Sequence, residues 1–143
     1  MGQNWSIIVP EQTENLVTNP SFETNTTGWS ASGSNTIGRD SNQQYSGVYS
    51  LLCTYANNTT LATLTISSGL SAGTTYTITA RLRVPANWNG GGILLNASGF
   101  SSATITQVRE WDSATGETDK WVELEIRLAT SADATGTILL QTT

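Results

Sequence analysis

Short apolar stretches separated by turn-forming residues recur along the whole chain. No window of eleven residues places apolar side chains at the i, i+3, i+4 and i+7 positions of an amphipathic helix. The predicted strands cover residues 5–9, 15–17, 34–39, 48–55, 61–66, 75–84, 93–96, 104–111, 121–128 and 137–141. Many short strands with turns between them are typical of an all-β, antiparallel β-sandwich or jelly roll.

Two of these strands alternate strictly between apolar and polar side chains. In residues 76–84 the polar face carries Thr77, Thr79, Arg81 and Arg83. In residues 121–128 the outward set is Trp121, Glu123, Glu125 and Arg127. Strict alternation predicts one buried and one solvated face, as in a two-layer sandwich. If the two strands are neighbours, the arginines of the first can pair with the glutamates of the second.

The composition narrows the classes of partner. The 143 residues fit one domain, and 6 Lys and Arg against 11 Asp and Glu give a net charge of −5. Six scattered lysines and arginines do not form a basic surface that could bind the phosphates of a nucleic acid, so we predict no nucleic-acid partner. No apolar run is long enough for a membrane span, and we predict no membrane partner. A charged fraction of only 12% is common in secreted or virion-exposed β proteins.

Candidate catalytic groups are few. The chain has no histidine, which excludes His-based triads and most zinc sites. Cys53 is the single cysteine and lies in an apolar strand, so we expect a core residue. Glycoside hydrolysis needs two carboxylates, one of them held protonated, whereas Glu123 and Glu125 share a solvated face with Arg127. We therefore predict no enzymatic activity.

The first residues do not read as a signal peptide, because they contain neither a charged leader nor a long apolar core. Two interpretations remain open: a cloning scar on an excised domain, or the native start of a protein that leaves the cell by lysis. We expect a virion or extracellular location.

Several landmarks resemble one family of domains. They are Asn15-Leu-Val-Thr-Asn-Pro-Ser-Phe-Glu23, Gly28-Trp29, Tyr45-Ser-Gly-Val-Tyr-Ser-Leu51, Tyr76-Thr-Ile-Thr-Ala80, Trp121 at the start of a long strand, and Ala134-Thr-Gly-Thr-Ile138. In this order they resemble carbohydrate-binding modules of families 4, 9 and 22. These are galactose-binding-like jelly rolls that are frequent in phage virion proteins. The resemblance divides the chain into a module at 15–143 and an N-terminal extension or extra strand at 1–14.

The resemblance also implies a metal site. Many such modules hold a structural calcium between the first loop and the closing strand. Glu23 occupies a matching position and Asn19 lies nearby, but Gln141 stands where a carboxylate is expected. The alternative is that Glu23 caps a loop. Because the acidic pair of the closing strand is missing, we expect that strand to be either cut short or completed by a neighbouring chain, and the strand at 5–9 could take its place.

Glycans bind to flat aromatic rings, with amide and charged groups meeting the hydroxyls. Trp88 lies in a glycine-rich loop, and Trp111 lies between two carboxylates. The alternative for Trp88 and Trp111 is a ring that packs against the protein and anchors its loop. The alternative for Trp121 is a ring that only covers the edge of its strand. The predicted carbohydrate-binding residues are Trp88, Trp111, Trp121, Arg81, Arg83, Asn87 and Asn89.

These observations predict a non-catalytic carbohydrate-binding module that belongs to a phage decoration, fibre or tail protein. The first alternative is a structural domain that docks on other virion subunits or on itself and has no glycan site. The second is an accessory module of a polysaccharide-degrading enzyme. A glycan module should expose its predicted tryptophans in a groove, whereas a docking domain should bury them.

Overall fold

A computed structural model describes residues 15–100, 103–132 and 134–143, and it shows β-strands and no helix there. No helix capable of spanning a membrane occurs in these ranges. The strands are β1 Trp29–Ala31, β2 Thr36–Asp40, β3 Ser50–Thr54, β4 Thr60–Leu70, β5 Thr75–Arg83, β6 Ile93–Ser98, β7 Ala103–Arg109, β8 Trp121–Thr130 and β9 Ala134–Thr142. All pairings are antiparallel. The predicted all-β sandwich is confirmed.

The strands form two larger sheets and one hairpin. One sheet has the order β1-β4-β9-β6, the other has the order β5-β8-β7, and β2 pairs with β3. Apolar side chains from both larger sheets meet in a single core, contributed mainly by β4, β6 and β8. The interface between the sheets therefore buries the inward face of each, as a sandwich requires.

The two strictly alternating stretches are neighbours in the sheet. β5 and β8 pair from Thr75 opposite Ala129 to Arg83 opposite Trp121. The inward residues Leu124, Ile126 and Leu128 are fully buried. Because side chains alternate across a strand, burial of this row places Trp121 and Glu123 on the outward face.

The closing strand is complete, contrary to our expectation of a short one. β9 pairs with β4 along one edge and with β6 along the other. Gln141 accepts a hydrogen bond from the Asn96 amide at 2.9 Å and donates one to the Thr60 hydroxyl at 3.1 Å. The sheet position that we expected residues 5–9 could take is therefore occupied by β9. Residues 5–9 themselves lie outside the described residues.

The first described residues also differ from the prediction. Residues 15–17 form no strand, because the Asn15 carboxamide oxygen accepts the Val17 N–H at 3.0 Å and bends the backbone. A short strand that we did not predict, Trp29–Ala31, pairs with β4 instead.

Truncation of the β8 core row tests this packing. We expect Ile126→Ala to lower the free energy of unfolding by about 2–5 kcal/mol, because it leaves a cavity beside fully buried neighbours. Val108→Ala is the matched control, since it removes a β-branched side chain that is 40% exposed on the neighbouring strand. It should change stability by less than about 0.5 kcal/mol. Denaturant titration measures both, and similar losses would contradict the assigned core.

Candidate functional site

A cavity of about 930 Å³ lies between the β2-β3 hairpin and β5. Tyr45, which is 56% exposed, lies at its rim. Most of the residues predicted from the sequence line this one cavity: Arg81, Arg83, Asn87, Trp88, Asn89 and Trp121. Trp111 lies elsewhere, beside a smaller cavity of about 280 Å³. The fold thus brings six of the seven predicted residues together.

An ion-pair cluster crosses the outward face of the sheet. Arg81 lies opposite Glu123 in the β5-β8 register, and its guanidinium is 2.7 Å from the Glu123 carboxylate. Arg109 of β7 pairs with the other oxygen of the same carboxylate. Such exposed pairs contribute only about 0–1 kcal/mol each to stability. Their main effect is to orient three polar side chains on one face.

Arg83 is held differently from what the sequence suggested. Its guanidinium lies 2.8 Å from the Asp119 carboxylate, and not beside Glu125. Asp119 has a φ of 59° and donates its N–H to the Val84 carbonyl at 2.7 Å, which places it at the end of β5. Glu125 is paired with Arg127 of its own strand at 3.5 Å. Arg83 therefore joins β5 to the loop before β8.

Two aromatic rings stand beside the ion pairs. The Tyr45 and Trp121 rings meet edge to face, with centroids 5.9 Å apart. The Arg81 guanidinium carbon is 4.9 Å from the Tyr45 ring centroid. Trp121 is half-buried, whereas Tyr45 is largely exposed. The result is an exposed aromatic surface next to a guanidinium and a carboxylate.

Tyr45 is the residue that sequence reasoning missed. A tyrosine at the edge of a predicted strand packs inward or outward with equal ease, so the local pattern does not assign it to either side. Its exposed ring next to an alternating strand pair is a tertiary feature that no local pattern encodes.

Trp88 packs on its own loop. Its indole N–H donates to the Gly91 carbonyl at 2.9 Å, and its ring centroid is 5.3 Å from that of Tyr55. A Cβ at Gly90 would collide with the indole, which explains the glycine at this position. Trp88 is half-buried against the core, while Asn87 and Asn89 on either side of it are exposed. The ring anchors a loop that presents two amides at the cavity.

Trp111 is only 5% exposed, which differs from the exposed ring that we expected. Its backbone forms a two-bond bridge with Ile93, at 2.8 Å for each bond, and this bridge turns the indole into the core. The indole N–H donates to the Glu117 carbonyl at 3.0 Å, and Gly116 leaves room for the ring. In this conformation Trp111 offers no open ring face to a sugar.

The protein-family model CBM_4_9, described as a carbohydrate binding domain, matches residues 14–142. The chain belongs to this carbohydrate-binding domain family. No curated protein and no solved structure matches the chain. A domain of this family is non-catalytic in itself, and the family implies a glycan as partner.

Glu23 of this carbohydrate-binding domain organises a loop. Its Oε1 accepts the N–H groups of Val48 and Tyr49 at 3.0 and 3.2 Å. Gly47 approaches the carboxylate so closely that a Cβ there would collide with it, and its φ of 73° favours glycine. Glu23 thus fixes the segment that leads into β3.

The residues expected to hold calcium do not fit that ion. The Arg39 guanidinium donates to the backbone carbonyls of Glu23 and Thr24, so a cation already meets these oxygens. Asn19 is hydrogen-bonded to Asn25, and Gln141 is engaged with β4 and β6. In the described part of the chain no three acidic, cysteine or histidine residues cluster.

Cys53 lines the large cavity and is the chain's only thiol. Burial raises the pKa of this thiol from its usual value of 9.0 to about 12. A nucleophilic cysteine needs a lowered pKa, because the thiolate is the reactive form. The cavity thus contains no activated thiol.

The Arg39 contacts can be tested against the calcium alternative. We expect Arg39→Met to lower the free energy of unfolding by about 1–3 kcal/mol, because two carbonyls lose a charged donor. Lys120→Met is the control, since it removes a cation from an exposed pair and should cost less than about 1 kcal/mol. We also expect the Tm of the unmodified chain to be equal in calcium and in a chelator. A calcium-dependent rise in Tm would contradict the assignment.

The raised pKa of the Cys53 thiol predicts that the free energy of unfolding depends on pH. Because the native state holds the Cys53 proton more tightly than the unfolded chain, its contribution to stability is constant below pH 9. It falls as the pH rises from about 9 to about 12. Alkaline unfolding of the unmodified chain should therefore be steeper than that of Cys53→Ala, in which other titrating groups are unchanged. Parallel pH–stability curves would show that this thiol is not shielded.

Proposed function

We propose that this domain is a non-catalytic glycan receptor whose ligand lies on the outward face of β5 and β8. One observation carries the proposal: the exposed Tyr45 ring and the half-buried Trp121 ring meet beside the Arg81–Glu123 ion pair. Sugar rings present C–H faces that stack on aromatic surface and hydroxyls that bond to charged groups. Both partners that a sugar needs are adjacent here.

The arrangement is suited to binding because its polar groups are already oriented. Glu123 is held by Arg81 on one side and by Arg109 on the other, so its carboxylate does not need to be ordered by the ligand. Pre-organised groups lose less conformational entropy on binding. The exposed amides of Asn87 and Asn89 extend the polar contacts along the rim of the cavity. A single small site of this kind gains useful strength by multivalent display.

The same geometry supports binding without hydrolysis. Glu123 and Glu125 are both ion-paired with arginines. An acid for glycosidic cleavage stands in an apolar pocket that keeps it protonated. Glu125 is only 8% exposed, contrary to the solvated position that we expected, but it lies beside a guanidinium, as Glu123 does, and not in a purely apolar pocket.

We also propose a phage virion as the setting, in a decoration, fibre or tail protein at an extracellular surface. A low charged fraction of 12% and a single cysteine that needs no oxidising compartment support it. Repeated display on a virion would also supply the multivalency that a modest site needs.

A docking domain is the second candidate, and one observation favours it. The segment before and within β3 exposes three large apolar side chains, Tyr45, Val48 and Leu52, at 56%, 55% and 50%. Contiguous exposed apolar surface marks protein contacts as well as ligand sites. An accessory role beside a catalytic domain is a further setting for the same glycan site.

A glycan array with multivalently displayed protein tests the proposed function. Trp121→Ala and Tyr45→Ala should each weaken binding about tenfold or more, since each removes aromatic stacking surface. Trp121→Phe is the matched control, because it keeps a flat ring at the same position and should retain most of the affinity.

Two results would decide against the glycan site. One is an unmodified chain that retains no glycan under multivalent display, which favours the docking domain. The other is equal binding by the unmodified chain and Trp121→Ala, which would place the sugar elsewhere on the domain.

A further inference from the structure

The positive charges of this chain gather on one face of the sandwich. Of its 6 lysines and arginines, all but Arg39 and Lys120 lie on the outward side of the β5-β8-β7 sheet. The charged residues of this face are Arg81, Arg83, Arg109, Arg127, Glu123 and Glu125, with Asp119 at its border. Among the described residues the guanidiniums here thus outnumber the carboxylates by one. The face is positive although the net charge of the chain is −5.

The excess of positive charge lies around Glu123. Its Oε2 is 2.7 Å from the Arg81 guanidinium, and its Oε1 contacts the Arg109 guanidinium. One carboxylate therefore faces two guanidiniums. Arg83 and Arg127, in contrast, each have a carboxylate of their own, at 2.8 and 3.5 Å. The unbalanced charge thus belongs to Arg81, Glu123 and Arg109.

These three side chains are rich in hydrogen-bond donors and poor in free acceptors. A guanidinium carries five N–H donors and no acceptor, and Arg81 contacts Glu123 through Nη2 alone, as Arg109 does through Nη1. Both oxygens of Glu123 already meet a guanidinium. Its side chain is 20% exposed, against 44% for Arg81 and 56% for Arg109. A ligand on this surface therefore meets N–H donors first.

The exposed donors lie next to the aromatic rings of the proposed glycan site. The Arg81 guanidinium carbon is 4.9 Å from the Tyr45 ring centroid, and the Tyr45 ring meets that of Trp121. A sugar ring stacked on Tyr45 would thus direct its substituents toward Arg81. The hydroxyl of a neutral sugar donates as well as accepts, whereas a carboxylate or sulfate group only accepts. A surface that offers mainly donors matches the charged substituent better.

We infer that this site selects an anionic glycan, whose sugars carry carboxylate or sulfate groups, and this selectivity depends on the glycan site proposed above. The rings of Tyr45 and Trp121 stack on the sugar, and the guanidiniums of Arg81 and Arg109 bind its acidic group. A guanidinium can form two parallel N–H···O bonds with such an oxyanion. Glu123 then acts as a positioning residue, which holds the two guanidiniums side by side.

Matched pairs of polysaccharides test the ligand class on the unmodified chain. Polygalacturonate, alginate and hyaluronate are each compared with their carboxyl methyl esters, and dextran sulfate is compared with dextran. Within a pair the sugar backbone is the same, so only the acidic group differs. With immobilised, multivalently displayed protein, at least one acidic polymer should bind about tenfold more tightly than its neutral partner. Equal or weaker binding of every acidic member would overturn the inferred selectivity.

The overall charge of the protein makes this comparison stringent. A chain with a net charge of −5 repels a polyanion at long range, so a preference for the acidic member must come from a local positive surface. The preference should decrease as NaCl rises from about 0.05 to about 0.5 M, because exposed charges are screened by salt. A preference for acidic polymers that is independent of salt would contradict the assigned guanidinium contacts.

Glu123→Gln predicts a result of unusual sign. Removal of the negative charge should strengthen binding of the acidic polymer about threefold to tenfold, since Arg81 and Arg109 lose a competing partner. Arg109→Gln should weaken it by a similar factor. Glu117→Gln is the matched control, because it changes the net charge equally at an exposed pair with Lys120 and should alter binding less than about twofold. Weaker binding by Glu123→Gln would show that its carboxylate accepts a sugar hydroxyl, and would overturn the inferred role.

Three outcomes distinguish a wrong ligand class from a wrong site. Binding of neutral glycans that Trp121→Ala weakens, with no gain from acidic groups, keeps the glycan site and overturns the anionic ligand. Binding of neither acidic nor neutral glycans overturns both. A gain from acidic groups that Arg109→Gln and Trp121→Ala leave unchanged places the anion elsewhere on the domain and also overturns the assignment.

Discussion

The inward row of β8 is the feature from which the rest of the structure follows. β8 is bonded to β5 on one side and to β7 on the other, and Leu124, Ile126 and Leu128 are fully buried. A slip of one residue would exchange the two faces of the strand and bury charges in place of these side chains. The hydrophobic core therefore sets the register, and the register in turn decides which side chains reach the solvent.

The proposed binding face is a consequence of that register. Arg81, Glu123 and Arg109 meet because three adjacent strands present them side by side, although each pair adds little to stability. Tyr45 approaches from the segment before β3 and contacts both Trp121 and Arg81. The face thus combines a rigid sheet with one segment outside it, and that segment is itself fixed by Glu23. A few polar contacts of Glu23 thus hold the segment that leads to the proposed binding face.

Much of the architecture could be predicted from local patterns, and particular residues show where such patterns fail. The alternation of residues 76–84 and 121–128 predicted both faces and the Arg81–Glu123 pair correctly. Arg83 was paired incorrectly because its partner Asp119 lies in a turn with positive φ that the pattern does not mark. Trp111 was expected outside because its burial depends on a backbone bridge to Ile93, which is distant in sequence. In both cases the position of the side chain is determined by a contact with a residue distant in sequence, which the local pattern does not contain.

The sequence by itself determined the all-β class, the inward and outward sides of the long strands, and the scarcity of catalytic groups. These features depend on residue types and a period of two, which are readable along the chain. Only the tertiary structure decided which aromatic rings are exposed, that Arg39 occupies the oxygens near Glu23, and that β3 and β5 border one cavity. The physical reason is that burial and pairing are set by neighbours brought together in space, whose identity no local spacing records.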